Sequence, residues 1–207
     1  MPKNEFQAVV FDLLTALLNS WSLWSKVAGS DEAGLAWRKM YLELTYQAGP
    51  YRPYEGIIEE AARNVGVTGA LANELMQRWN EIEPWPETKR VLRALIEIVP
   101  VGIVTNSSIA LADVAVACTG VAIPMVVTAA EAGYYKPHPQ PYRMILERLE
   151  CEAEKVLFVA GSASDVSGAS EVGMPVFWHN RMNMPPMVSS PKPTYVSDSL
   201  LPILGIV

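Results

Sequence analysis

Short runs of consecutive hydrophobic residues recur along the chain, and the stretches between them repeat apolar residues at helical spacing. The short runs are rich in β-branched residues, which is typical of strands buried on both faces. The predicted strands are residues 7–12, 99–106, 124–129, 155–161 and 174–179, with a last short strand near Tyr195. The predicted helices between them are residues 87–98, 141–150 and 165–172. This alternation predicts an α/β fold with a parallel sheet.

The alternation is interrupted after the first strand by a long stretch with helical periodicity. The helices predicted there are residues 30–46, 55–64 and 70–80. The Trp85-Pro86 step favours a hinge where the chain returns to the sheet. We therefore predict a small helical cap domain, residues 18–85, inserted into a core domain. The core domain is predicted to comprise residues 1–17 and 86–207.

Composition favours a compact enzyme that acts on a small molecule. Of the 207 residues, 50% are hydrophobic and 18% are charged, which is ordinary for a globular domain. The net charge of -6, without a basic run, argues against nucleic acid and anionic membranes as partners. No apolar stretch approaches the roughly 20 residues of a membrane helix. We expect a small-molecule substrate, no nucleic acid and no membrane partner.

Cysteine and histidine usage points to a reducing compartment and away from a histidine metal site. Cys118 and Cys151 are isolated from each other, and the first residues, MPKNEFQ, show no secretory start. We therefore expect a cytoplasmic protein. Its two histidines are too few and too scattered to hold a metal ion.

Candidate site residues lie at the ends of several predicted strands. Asp12 ends the first strand, Thr105 and Asn106 end the second, and Gly161 ends the fourth. Ligands of parallel α/β sheets bind beyond the carboxyl ends of the strands, so we expect these residues to converge.

Five segments in chain order resemble motifs of the haloacid dehalogenase superfamily, and within it those of the 2-haloacid dehalogenase branch. They are VVFDLLTALL, AWRKMYLELTY, VTNSS, YYKPHPQPY and FVAGSASDVSGASEVGMPVFWHNR. The resemblance covers nearly the whole chain. It implies a Rossmann-like core with a cap, a covalent aspartyl-ester intermediate, no metal or other cofactor, and a homodimer.

The resemblance implies a role for each matching residue. It makes Asp12 the nucleophile, Lys136 the cation that keeps Asp12 ionised, and Arg38 the acceptor of the leaving group. Asp165 and Ser162 would position the water that hydrolyses the ester. The predicted substrate contacts are Leu13 through its backbone N–H, Leu14, Thr105, Asn106, Tyr142, Ser162 and Trp21.

Plain structural roles stay open for the same residues. Asp12 could cap the turn after its strand, and Lys136 and Asp165 could form a simple ion pair. Arg38 could be a solvated helix residue, and Tyr142 could only pack on the sheet.

The chain departs from the family pattern at three places. Superfamily phosphatases carry a general-acid Asp where this chain has Leu14, and a metal-binding Asp where it has Gly161. Dehalogenases usually carry Gly-Thr where this chain has Thr15-Ala16, so the hydroxyl near the nucleophile is displaced by one residue.

We therefore predict a metal-independent hydrolase that displaces a leaving group from a small carboxylic acid, of the (S)-2-haloacid dehalogenase type. The alternative is ring opening of a small cyclic amino acid, as in L-azetidine-2-carboxylate hydrolases, with Tyr142 or Asn106 as proton donor. A phosphatase and a non-catalytic binding domain are less favoured.

Overall fold

The computed structural model describes residues 6–188 and 190–207 and is built around a six-stranded sheet. In chain order the strands of the molecule are β1 Ala8–Phe11, β2 Leu18–Asn19, β3 Glu83–Pro84, β4 Val101–Thr105, β5 Met125–Thr128, β6 Val156–Ala160, β7 Val176–His179 and β8 Tyr195–Ser197. The large sheet has the order β5-β4-β1-β6-β7-β8, and neighbouring strands are parallel. The predicted α/β fold is confirmed. The first five residues of the predicted core segment lie outside the described part.

Both faces of the sheet are covered by helices. The helices are α1 Ser20–Ala28, α2 Asp31–Ala48, α3 Tyr54–Asn64, α4 Gly69–Gln77, α5 Thr88–Ile96, α6 Ile109–Cys118, α7 Ala129–Ala132, α8 Pro139–Leu149 and α9 Ala163–Glu171. Because strand side chains alternate, Val9 and Phe11 of β1 pack in one hydrophobic cluster while Ala8 and Val10 pack in the other. All four residues are buried, which explains why the strand is continuously apolar.

The helices α1–α4 are inserted between two short strands. β2 and β3 pair antiparallel, with Leu18 opposite Pro84, so the chain leaves and re-enters the core at one point. α2 begins after Ser30, whose hydroxyl caps the helix by accepting a hydrogen bond from the Ala33 N–H (3.1 Å). It ends before Gly49, which has a φ of 61°. The predicted cap, residues 18–85, includes this stretch, and its separation as a domain stays a prediction.

Three helices had no sequence prediction: α1, α6 and the four-residue α7. α1 follows β2 directly, and α6 is composed mainly of small and apolar residues on all sides, so helical periodicity is weak there. The predicted helix at residues 70–80 ends earlier, at Gln77, and a short 3-10 turn over Trp79–Glu81 follows. In the part of the chain that the structure describes, no helix has the length and apolarity needed to cross a membrane.

Candidate active site

The carboxylate of Asp12 is held at the end of β1 by the turn that follows it. Residues Leu13–Leu17 form a π-helix, and Asp12 caps its N-terminus. The Asp12 Oδ2 atom accepts hydrogen bonds from the Thr15 N–H (2.9 Å), the Thr15 hydroxyl (2.6 Å) and the Ala16 N–H (3.2 Å). One oxygen of the carboxylate is thereby fixed by three donors.

The other Asp12 oxygen faces a buried lysine. Lys136 Nζ lies 2.8 Å from Asp12 Oδ1 and 3.0 Å from Asp165 Oδ1, and the residue is only 2% exposed. Asn106 holds the Lys136 backbone: its side-chain Oδ1 accepts from the Lys136 N–H (2.7 Å), and its Nδ2 donates to the Lys136 carbonyl (3.0 Å). One ammonium therefore bridges two buried carboxylates.

The charges in this cluster set its protonation. Burial opposes ionisation of Asp12, but the Lys136 ammonium and the hydrogen bonds from Lys136 and Thr15 outweigh it, so the pKa of Asp12 is lowered. Burial likewise disfavours the Lys136 ammonium, but the two carboxylates raise the pKa of Lys136. Burial raises the pKa of Asp165; Lys136 opposes this shift, and the Asp12 charge adds to it. Asp12 is therefore the more acidic of the two carboxyl groups.

Asp165 is positioned by residues around the start of α9. Ser162 caps that helix, since its hydroxyl accepts from the Asp165 N–H (3.3 Å). The Tyr142 hydroxyl donates to Asp165 Oδ1 (2.9 Å). Burial, together with the negative charge of Asp165, holds the pKa of Tyr142 well above its ordinary value, so the phenol stays protonated.

Arg38 of α2 supplies a second positive charge from the cap. The residue is 1% exposed, and its guanidinium carbon lies 4.6 Å from the ring centre of Tyr41, 5.1 Å from that of Trp24 and 5.5 Å from that of Trp21. Nη2 donates to the Ser20 hydroxyl (3.1 Å). Within the described residues, the buried Nε and Nη1 atoms have no hydrogen-bond partner. A buried guanidinium with unused donors is suited to bind an anion.

A small cavity lies between these groups. Its volume is about 20 Å³, which is room for about one water molecule. The lining residues are Asp12, Leu14, Thr15, Arg38, Tyr41, Leu42, Tyr46, Asn106, Lys136, Ser162 and Asp165. Core and cap residues thus enclose the same space.

Four residues predicted to contact substrate, Leu13, Thr105, Tyr142 and Trp21, do not line this cavity. Thr105 is fully buried, and its hydroxyl lies 3.2 Å from that of Ser107. Tyr142 is bound to Asp165 instead, and Trp21 packs against the Arg38 guanidinium. The Leu13 side chain is fully buried as well, which leaves only its backbone for a substrate contact.

Three lining residues on α2 were missed by the sequence reasoning. Tyr41, Leu42 and Tyr46 follow Arg38 at spacings of three, four and eight residues, so they share its helix face. That spacing was the available signal. Burial, with a contribution from the Asp165 charge, raises the pKa of Tyr46 to about 12.

Gly161 is closely covered by the turn after Asp12. A Cβ atom added at Gly161 would lie 2.3 Å from the Thr15 hydroxyl oxygen and 2.3 Å from the Ala16 nitrogen. The carboxylate that phosphatases carry here does not fit unless the π-helix moves. Among the described residues, no group of three or more His, Cys, Asp or Glu side chains could hold a metal ion. The residues present therefore do not fit the Mg²⁺ site of the phosphatases.

Comparisons with known proteins identify the family of this chain. The family model of the haloacid dehalogenase-like hydrolases matches residues 6–173. The (S)-2-haloacid dehalogenase of Pseudomonas fluorescens is 30% identical over 216 residues, covering 95% of this chain and 94% of that protein. The (S)-2-haloacid dehalogenase of Pseudomonas putida is 28% identical with the same coverage.

Solved structures show the same fold. The L-2-haloacid dehalogenase of Xanthobacter autotrophicus with covalently bound chloropropionic acid has a TM-score of 0.86 at 20% identity, covering 97% of this chain and 98% of its own. Another L-2-haloacid dehalogenase reaches 0.85 at 26% identity, with the same coverage. From the matched sequence, the shared fold and the residues gathered around Asp12, we conclude that this chain belongs to the haloacid dehalogenase-like hydrolases and is related within them to the (S)-2-haloacid dehalogenases.

Proposed function

We propose that this protein hydrolyses (S)-2-haloacids by displacing the halide from the carbon next to the carboxylate. One observation carries the proposal: an ionised Asp12 beside Lys136 shares a cavity with the unused donors of Arg38. A nucleophile and an anion acceptor are the two groups that such a displacement needs. The (S)-2-haloacid dehalogenases among the relatives act on this class of substrate by name.

The first step is an in-line attack on C2 of the substrate. An Asp12 carboxylate oxygen forms a bond to C2 while the carbon–halogen bond breaks, and the halide takes the bonding electron pair. Arg38 receives the halide, with no proton transferred. Attack opposite the leaving group inverts C2, so an (S)-2-haloacid gives an ester of the (R) configuration. Asn106 and the backbone N–H of Leu13 are the proposed contacts of the substrate carboxylate.

The second step regenerates Asp12. Water attacks the Asp12 carbonyl carbon and gives one proton to Asp165; the ester bond breaks, and the departing alkoxide oxygen, formerly of Asp12, takes that proton to leave as an (R)-2-hydroxy acid. The second water proton passes to solvent as Asp12 becomes a carboxylate again. Asp165 supports this step because it lines the cavity and its raised pKa favours taking up the proton of the water. Ser162, which caps the helix that carries Asp165, is the proposed second contact of this water.

The ring-opening alternative is less well supported. Departure of a ring nitrogen requires a proton donor, and the sequence offered Tyr142 and Asn106. Tyr142 donates to Asp165 and does not line the cavity. The Asn106 amide lines the cavity, but an amide N–H is far too weak an acid to protonate a departing nitrogen. A halide leaves as an anion without gaining a proton, so its departure needs a cation such as Arg38 and no proton donor. The phosphatase alternative lacks both carboxylates that it needs, at Leu14 and Gly161.

The setting that we propose is a homodimer in the cytoplasm, with a small carboxylate as ligand and no metal or other cofactor. The family resemblance supports the dimer, and the exposed apolar side chains Ile96 and Ile98 supply surface that a second copy could cover. The free thiols of Cys118 and Cys151 support a reducing compartment. Light scattering at several protein concentrations tests the dimer.

Halide release tests the proposed function directly. Purified protein is assayed with (S)- and (R)-2-chloropropanoate, with L-azetidine-2-carboxylate and with an aryl phosphate, each in EDTA and in Mg²⁺. We expect chloride release from the (S) acid alone, unchanged by EDTA. Phosphate release that depends on Mg²⁺, or ring opening without halide release, would contradict the proposal.

A further inference from the structure

A second, larger cavity adjoins the reaction cavity. It has a volume of about 580 Å³ and lies between α2 and the loop after β7. Leu35 of the helix and Met182, Met184 and Met187 of the loop line it. The lining is mostly apolar, and Lys39 and Glu43 of α2 are its charged members. Leu42, Tyr46 and Ser162 line both cavities, so these three residues form a shared wall.

The shared wall is the side on which the reaction cavity can open. The cavity has room for about one water molecule, which is less than any haloacid requires. Asp12, Arg38 and Lys136 are 6%, 1% and 2% exposed and are held by hydrogen bonds, whereas Leu42 and Tyr46 are partly exposed. A substrate therefore enters past Leu42 and Tyr46, from the larger cavity.

The methionine side of the larger cavity is an anchored loop. The Met184 N–H donates to Asn180 Oδ1 (2.8 Å), and Asn180 Nδ2 donates to the Met184 carbonyl (2.9 Å). Met184 also packs against the hydrophobic cluster on one face of the sheet. Methionine side chains adapt to apolar groups of different shape, so this wall suits a flexible hydrocarbon chain.

We infer that the larger cavity binds the hydrocarbon tail of the substrate. The preferred substrates are then 2-haloacids with an alkyl chain on C2 longer than the methyl group of 2-halopropanoate. The chain passes between Leu42 and Tyr46, while C2 stays beside Asp12 and the halogen beside Arg38. The substrate carboxylate keeps its proposed contacts with Asn106 and the Leu13 backbone. This inference rests on the proposed function, which it extends to a class of substrates.

Chain length is the variable that tests the inference. With (S)-2-bromo acids from propanoate to hexanoate, we expect kcat/KM to rise about fourfold for each added methylene, as burial of a CH₂ group predicts. Met184→Glu and, on the opposite wall, Leu35→Glu place a charge in the cavity. Both variants are expected to lower the hexanoate-to-propanoate ratio of kcat/KM. Val196→Glu, at an exposed residue of β8 that lines neither cavity, is the matched control that keeps the ratio.

A binding measurement separates this inference from the proposed function. Calorimetry with propanoate and hexanoate, which carry no leaving group, should show tighter binding of hexanoate, and Met184→Glu should remove the difference. If hexanoate binds more tightly but no acid releases halide, the dehalogenase proposal fails, and the larger cavity is still a site for hydrocarbon chains. If halide is released but kcat/KM is flat or falls with chain length, the tail site is overturned. Loss of both signals overturns both.

Discussion

Thr15 and Lys136 hold the Asp12 carboxylate from opposite sides. Dehalogenases usually place a threonine one position later, where this chain has Ala16. The Thr15 hydroxyl still reaches Asp12, because Asp12 caps the π-helix and Thr15 is its third residue, whose N–H and hydroxyl both donate to the capping carboxylate.

Removal of the Thr15 hydroxyl is expected to leave the attacking carboxylate of Asp12 poorly oriented. Thr15→Val keeps the shape of the side chain but loses the 2.6 Å hydrogen bond to Asp12. Since a hydrogen bond to a charged group contributes about 1.5–3 kcal/mol, we expect kcat/KM for halide release to fall about 10- to 100-fold. Thr15→Ser keeps the hydroxyl and serves as control. Equal activity of the valine and serine variants would show that this hydroxyl is dispensable.

The buried guanidinium of Arg38 serves the proposed function and lowers the stability of the fold. Its Nε and Nη1 atoms are buried without partners in the described part of the chain, an arrangement that costs stability until an anion binds. We predict that Arg38→Met raises the melting temperature while lowering kcat about 10²- to 10³-fold. Arg63→Met, at an exposed arginine on α3, should change neither quantity. An active Arg38→Met enzyme would contradict the leaving-group role.

Among the secondary-structure elements, the turn after β1 and the end of β6 meet at a glycine. Gly161 has no room for a Cβ atom because Thr15 and Ala16 press against its Cα. The Thr15 hydroxyl that donates to Asp12 occupies the space where a side chain at residue 161 would lie. Its position therefore requires a glycine there.

Gly161→Ala tests this close contact. Overpacking of this kind destabilises by about 1–3 kcal/mol, so we expect the free energy of unfolding in urea to fall by that amount and halide release to slow. Gly69→Ala, at the start of α4, is the matched control because an added Cβ would meet no atom within 4 Å there. If Gly161→Ala were as stable as Gly69→Ala, the π-helix after Asp12 could move away from residue 161, and the close contact would not be required.

The elements that could be predicted are those that adjacent residues in the sequence specify. Buried strands, and Asp12 at the end of one of them, can be recognised from the residues next to them in the sequence. Lys136 can be recognised because it lies in a motif. The face that α2 presents to the site depends on how the cap packs on the core, so Tyr41 and Tyr46 were missed. Thr105 was expected in the site, but its side chain is buried beside Ser107. The sequence places a residue at a strand end without specifying the direction of its side chain.

For the whole enzyme, the charge cluster predicts a broad pH profile. Asp12 has a lowered pKa and stays ionised down through the ordinary carboxyl range, whereas Lys136 has a raised pKa and stays charged beyond the ordinary lysine range. We therefore expect kcat/KM, which reports the free enzyme, to be flat between about pH 5 and pH 10. A titration near the ordinary histidine pKa would mean that another group controls the attack.

The central claim is that Asp12 attacks carbon and is later released by water. The most direct test is mass spectrometry of the protein and of the product after reaction in H₂¹⁸O. In a single turnover the product should carry an unlabelled hydroxyl oxygen from Asp12, and after many turnovers the Asp12 peptide should contain ¹⁸O. An unlabelled Asp12 peptide after many turnovers, with ¹⁸O in the first product, would show that water attacks the substrate directly and would contradict the covalent mechanism.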